Sequence, residues 1–107
     1  MPFHAFDVAL EMVQQLRQPL AILATHDASL AQQLRRAAAS VPLNVSEGRR
    51  RVGRDRLHLW RIAAGIADEV RACLRVGEAL GYFAPAVTAE PLALCDRVLA
   101  MLWRLTH

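Results

Sequence analysis

The chain has 107 residues, 54% of them apolar but only 6% aromatic, so it holds one domain (1–107) whose interior is mostly Ala, Leu and Val. That length excludes a multidomain protein, and the shortage of aromatic and β-branched side chains argues against a β-rich fold. All 13 basic residues are arginine, the net charge is +3 and charged residues make up only 21%, which leaves apolar surface to hide and raises self-association.

Apolar residues recur at helical spacing almost throughout, which predicts an all-α chain. A first helix is predicted from Phe6 to Leu23, with Phe6, Leu10, Val13, Leu16, Leu20 and Leu23 as its stripe and Pro19 kinking it or ending its regular part. Thr25-His26-Asp27 reads as a turn, and Asp27 or Ser29 is placed to cap the next helix. The second predicted helix carries Leu30, Leu34, Ala37 or Ala38, Val41 and Val45; Pro42 should kink it and Gly48 should close it.

The third segment, Asp55 to Leu80, is the clearest. Leu59, Ala63, Ile66, Val70, Cys73, Gly77 and Leu80 step by 4 and 3, a seam of heptad type, with Arg54, Arg61, Asp68 and Arg75 as a polar column opposite. A turn at Gly81-Tyr82-Phe83-Ala84-Pro85 tucks two aromatics beneath it. A fourth helix should begin near Thr88 or Glu90, with Pro91 in its first turn, and bury Leu92, Cys95, Val98 or Leu99, Leu102 and Leu105; Trp103 lies beside that stripe or on an outer face. Short connections favour antiparallel neighbours, hence an up-down-up-down antiparallel four-helix bundle.

Catalysis finds no footing in this pattern. Histidines 4, 26, 58 and 107 share no helical face, and Asp68 is better explained by salt bridges to Arg61, Arg71 or Arg75 than by acid–base work. No phosphate-binding, nucleophile or metalloprotease motif is present. Cys73 and Cys95 read as buried free thiols of a reducing compartment. With no secretory signal and no apolar run long enough to span a membrane, the expectation is a cytoplasmic, non-enzymatic protein without metal or cofactor.

The charge is concentrated. Residues 35–61 hold eight arginines against Glu47 and Asp55, a local +6, while the rest of the chain sums to −3. Arg49, Arg50, Arg51, Arg54 and Arg56 fall at a helix–helix junction. They form either a solvated basic connector or a contact surface for a phosphate backbone, which needs convergent cations and no special base geometry.

The segment Gln33–Gly48 matches the pattern Q-L-R-R-A-x-x-S-[VI]-P-x-N-[IV]-x-E-G at Gln33, Leu34, Arg35, Arg36, Ala37, Ser40, Val41, Pro42, Asn44, Val45, Glu47 and Gly48. With Arg61–Gly65, Asp68-Glu69 and Leu80-Gly81-Tyr82, the chain resembles the bacterial four-helix bundle family encoded in intervening sequences of 23S ribosomal RNA genes. It departs at Ile66, where members carry Ser, and Leu57–Trp60 is only a partial equivalent of the aromatic–aliphatic pair that opens the helix in members. The resemblance implies a homopentamer. By a further likeness to the accessory protein of diversity-generating retroelements, it also implies binding of RNA or DNA beside a reverse transcriptase or other partner protein.

Ser40, Pro42, Asn44, Glu47 and Gly48 then read as structural, holding the kink and a subunit boundary. Ser40 or Asn44 would satisfy the carbonyl that Pro42 frees, and Glu47 would pair with Arg35, Arg36 or an arginine of the third predicted helix. Two functions follow. One is a homo-oligomeric nucleic-acid-binding accessory protein using Arg49, Arg50, Arg51, Arg54 and Arg56, aided by Arg35, Arg36 and Arg61. The other is a protein–protein scaffold that engages a partner enzyme through apolar surface and Trp60 or Trp103.

Overall fold

Proline decides where the first helix stops. Pro19 has no N–H for the carbonyl of Gln15, and its ring crowds that carbonyl. The computed structural model, which describes residues 4–107, accordingly ends α1 (Ala5–Gln15) there and starts α2 (Arg17–His26) after Leu16. Pro19 itself sits buried in the first turn of α2, where a missing N–H costs least. One predicted helix is therefore two. With α3 (Ala28–Arg49), α4 (Gly53–Ala79) and α5 (Pro85–Thr106), the described residues form five helices and no strand, not four helices.

Asp27 starts α3 by accepting the Leu30 N–H at 3.0 Å. The helix then runs through buried Pro42 without interruption. Ser40 Oγ donates to the Arg36 carbonyl (2.8 Å) and Asn44 Nδ2 to the Ser40 carbonyl (2.8 Å). Neither reaches the Ala38 carbonyl that Pro42 frees, so that expectation is corrected: the two side chains brace the turns on either side of the proline. Gly48 does not close the helix either. It is a buried interior residue, and a Cβ there would lie 2.6 Å from Cδ1 and Nε1 of Trp60. The glycine admits the indole, whose Nε1 donates to the Val45 carbonyl at 3.1 Å.

At its other end α4 closes on Gly81, whose φ of +82° places it in the left-handed region. The Gly81 N–H bonds the Glu78 carbonyl (3.0 Å), and the Tyr82 N–H bonds that of Gly77 (2.9 Å). The Tyr82 hydroxyl then donates to Asp27 at 3.2 Å, tying the end of α4 to the start of α3. Pro85 is the first residue of α5, earlier than the sequence indicated, which leaves Pro91 in the helix interior. Thr88 is not a cap. Its hydroxyl donates to Glu78 at 3.0 Å and fastens α5 to α4.

α3 and α4 run in opposite directions, meeting at Val45–Trp60 near one end and Asp27–Tyr82 near the other. α4 and α5 do the same through Arg61–Thr106, Arg71–Asp96 and Glu78–Thr88. The core between them is small-residue rich and tightly closed around Met12, Leu16, Leu34, Val41, Val45, Val70, Leu74, Cys95, Val98 and Leu102. The seam of α4 differs from its expected register. Ala63, Val70, Cys73 and Gly77 are buried as read, but Trp60, Ala67 and Leu74 replace Leu59, Ile66 and Leu80 at its centre, and Leu80 is 57% exposed. In α1 the stripe is likewise rotated, to Ala5, Val8, Ala9 and Met12, which leaves Leu10 exposed. In α5 the buried set gains Thr88, Pro91, Leu94 and Thr106, while Leu105 faces out.

Candidate nucleic-acid interface

The end of α3, the first turns of α4 and the end of α5 converge at one end of a body 42 Å long. That end holds Arg49, Arg50, Arg51, Arg54, Arg56 and Arg61. Arg104 joins them, in a groove with His4, Ala5, Met101 and Leu105 that forms where α1 begins and α5 ends. The two helix ends here carry unsatisfied carbonyls and the negative pole of the helix dipole, which cations stabilise.

Two arginines serve those carbonyls directly. Arg56 donates to Gly48 (3.2 Å) and Arg49 (2.8 Å) at the end of α3, with its guanidinium 5.3 Å from the Trp60 ring centre. Arg61 donates one Nη2 bond to Thr106 at the end of α5 (3.2 Å). A guanidinium has five N–H donors, so both retain capacity for a phosphate.

Glu47 binds neither Arg35 nor Arg36, nor any arginine of α4. It accepts from Arg50 (2.7 Å) and from Nε and Nη2 of Arg51 (3.1 and 2.8 Å), both in the connector that follows α3. The reach explains the correction, since three and four residues along a helix end bring side chains together. Bonding first by Arg51 and then by Arg50 holds the Glu47 carboxyl below the usual carboxylate range, and Glu47 in turn raises the Arg51 guanidinium.

The Arg54 side chain is exposed and makes no hydrogen bond or ion pair within the described residues, and the same holds for the side chains of Arg35 and Arg36. These last two stand apart from the cluster. Thirteen residues separate Arg36 from Arg49, about 20 Å along the helix axis. Arg35 instead lines a groove of about 370 Å³ between α2 and α3 with Leu20, Ala24, Ala28, Ala31 and Gln32. The structure thus brings together six of the eight sequence-selected arginines and separates two.

The polar column of α4 is exposed as read, and Asp68 is salt-bridged, to Arg71 (2.6 Å), which also bonds Asp96 of α5 (3.0 Å). Among the described residues no group of three or more His, Cys, Asp and Glu is placed to hold a metal ion. Burial raises the thiols of Cys73 and Cys95, the latter to about 12. Among the described residues no helix is long and apolar enough to cross a membrane.

One feature of this end escaped the reading of the sequence. Trp103 is 61% exposed and stacks on His107, with ring centres 4.4 Å apart and planes 10° from parallel. The i, i+4 spacing of the two rings was the available signal. Trp60, by contrast, is an internal residue and offers no surface.

Large apolar side chains are also exposed on the outer sides of α3 and α4. Leu43 is 65% exposed, and Ile62, Val76 and Leu80 are exposed on α4. Gly65 lies among them in mid-helix, and a Cβ built there meets nothing within 4 Å. Nothing inside the chain requires that glycine.

Residues 4–104 match the protein family described as 23S rRNA-intervening sequence protein. No curated protein is similar enough in sequence to match. Among solved structures, a protein of unknown function from the S23 ribosomal protein family of Bacteroides thetaiotaomicron VPI-5482 superposes with a TM-score of 0.87 at 17% identity. The overlap covers 95% of this chain and 97% of that one, so the fold is shared.

Proposed function

The chain belongs to the 23S rRNA-intervening sequence protein family, and on that premise we propose that it is a non-enzymatic, homo-oligomeric accessory protein that binds nucleic acid through its arginine-rich end. The observation that carries the reading is the convergence of Arg50, Arg51, Arg54, Arg56, Arg61 and Arg104 on one end, where Glu47, Asp55 and, in the first turn of α1, Asp7 are the acids in sequence reach. Permanent cations presented together are what a phosphate backbone selects. In the architecture we propose, α1 and α2 act as one broken rod of an up-down-up-down bundle. Bundles assemble as a pentamer in the cytoplasm through the outer face of α3 and α4, where Gly65 lets a neighbouring helix approach. Such a ring multiplies the positive end into a broad field.

The scaffold reading has one observation in its favour. Arg50 and Arg51 are partly neutralised by Glu47, which reduces the charge offered to phosphate. A partner protein or reverse transcriptase would then occupy the apolar face.

The test is fluorescence anisotropy with a mixed-sequence RNA and a duplex DNA over a range of salt, comparing the wild type with an R50A/R51A/R54A variant of equal mass by light scattering. Binding should weaken steeply with salt, and on the duplex the variant's log–log slope should fall by up to about three. A correctly assembled wild type that binds nothing at low salt sinks the nucleic-acid reading and leaves the scaffold. A monomeric mass sinks the oligomer.

A further inference from the structure

We propose that the exposed Trp103–His107 pair is a stacking platform for an unpaired base, which makes single-stranded nucleic acid the ligand of the arginine-rich end. This rests on the nucleic-acid reading above and narrows it to a substrate class.

The platform is held in place from within α5. His107 Nδ1 lies 3.0 Å from the Trp103 carbonyl oxygen and 3.1 Å from the Thr106 hydroxyl, contacts that hold the imidazole over the indole. The two planes are within 10° of parallel, so the imidazole lies over one face of the indole and fixes the ring's orientation. Yet the indole remains 61% exposed, and its N–H has no partner among the described residues. Packing accounts for one side of the ring and leaves the rest of it to solvent.

Cations share this end of the molecule with it. Arg104 is the next residue, and Arg61 bonds the Thr106 carbonyl, one turn beyond Trp103. Arg54 stands seven residues before Arg61, about 10 Å along the same face of α4. Asp96, seven residues before Trp103 and hence on its face of α5, is already engaged by Arg71. A strand lying across this end would meet guanidiniums for its phosphates and an aromatic surface for a base.

That combination discriminates between ligands. In a duplex the base faces are stacked inside and cannot reach a side-chain ring, whereas an unpaired base offers its face at no sequence cost. An acidic protein would satisfy the arginines but would leave the indole without a flat partner. The surface therefore fits single strands in preference to both.

The experiment compares wild type, W103A, W103F and H107A for binding to a short mixed-sequence single-stranded RNA, the same single-stranded DNA and its duplex, by anisotropy and tryptophan emission. Buried Trp60 serves as the internal reference. The single strands should bind more tightly than the duplex and quench emission. W103A should weaken single-strand binding about tenfold, with W103F restoring most of it, H107A weakening it less, and duplex affinity unchanged. W103A should melt like the wild type, since the side chain is exposed. Should it not, W103F against H107A gives the same reading. Single-strand binding indifferent to W103A and H107A, with nucleic-acid affinity otherwise intact, overturns the platform and spares the broader reading. Absence of any binding overturns both.

Discussion

The arginine-rich end and the outer face of α3 and α4 are opposites. At the first, almost every conspicuous residue is already engaged within the chain. Arg56 and Arg61 close helix ends, Arg50 and Arg51 hold Glu47, and Gly48 seats Trp60. At the second, Leu43, Ile62, Gly65, Val76 and Leu80 have no such engagement. A run of charge in a sequence is therefore weaker grounds for a binding site than it looks, because the fold consumes part of it. An apolar, glycine-bearing helix face that the fold leaves idle is stronger grounds for a partner.

Two glycines measure the difference most sharply. Ala at Gly48 would drive a methyl group into the Trp60 ring, which is buried and tethered to Val45, so it cannot step aside cheaply. Overpacking of that kind costs about 1–3 kcal/mol, and the melting temperature of Gly48→Ala should drop by roughly 5 °C or more. Ala at Gly65 has room, and in an isolated chain it should stabilise the helix by about 0.5–1 kcal/mol. If a second copy packs there, the same change weakens the assembly, read as a lower mass at a given concentration. A Gly65→Ala protein with raised melting temperature and unchanged mass would remove the outer face from the oligomer.

A smaller contrast lies within the arginines. Arg56→Ala loses two bonds to the last carbonyls of α3 and the contact with Trp60, an effect of about 1–2 kcal/mol by chemical denaturation. Arg54→Ala breaks nothing inside the chain and should stay within about 0.5 kcal/mol, while weakening nucleic-acid binding at least as much as Arg56→Ala does. Equal destabilisation by the two would mean that Arg54 has a structural role too.

How far the sequence could be read follows the same division. In α3 the apolar positions Leu34, Val41 and Val45 have polar neighbours, so one stripe is legible and is the buried one. α4 carries two apolar stripes side by side, Leu59/Ile66/Leu80 and Trp60/Ala67/Leu74, and periodicity does not choose between them. The choice falls to Trp60, whose volume needs the gap at Gly48 and whose N–H needs the Val45 carbonyl. The helix count failed for a related reason: Pro19 was visible, but its steric effect lands one turn earlier, at Gln15 and Leu16. At the candidate site the cations were legible and their bonds were not, since Glu47 had many arginines within sequence reach and only geometry selects Arg50 and Arg51.

Glu47 gives the finest test, because it sits on the boundary between structure and binding. Its carboxyl is held below the ordinary range by Arg51 and Arg50, so its pairing stabilises the fold above that range and the contribution is lost as pH falls through the depressed folded value. The pair is exposed, so the change in melting temperature should be slight. Binding should respond more. Protonation releases two guanidiniums and removes a negative charge from the surface, so the gain in nucleic-acid affinity that depends on Glu47 should appear only below the ordinary carboxylate range. Glu47→Gln should bring that gain to neutral pH, with tighter binding, a salt slope steeper by about one and no further rise below the ordinary carboxylate range. If Glu47→Gln binds as the wild type does across the whole range, Arg50 and Arg51 belong to the fold alone. The ligand would then be held by Arg54, Arg61, Arg104 and the Trp103 ring.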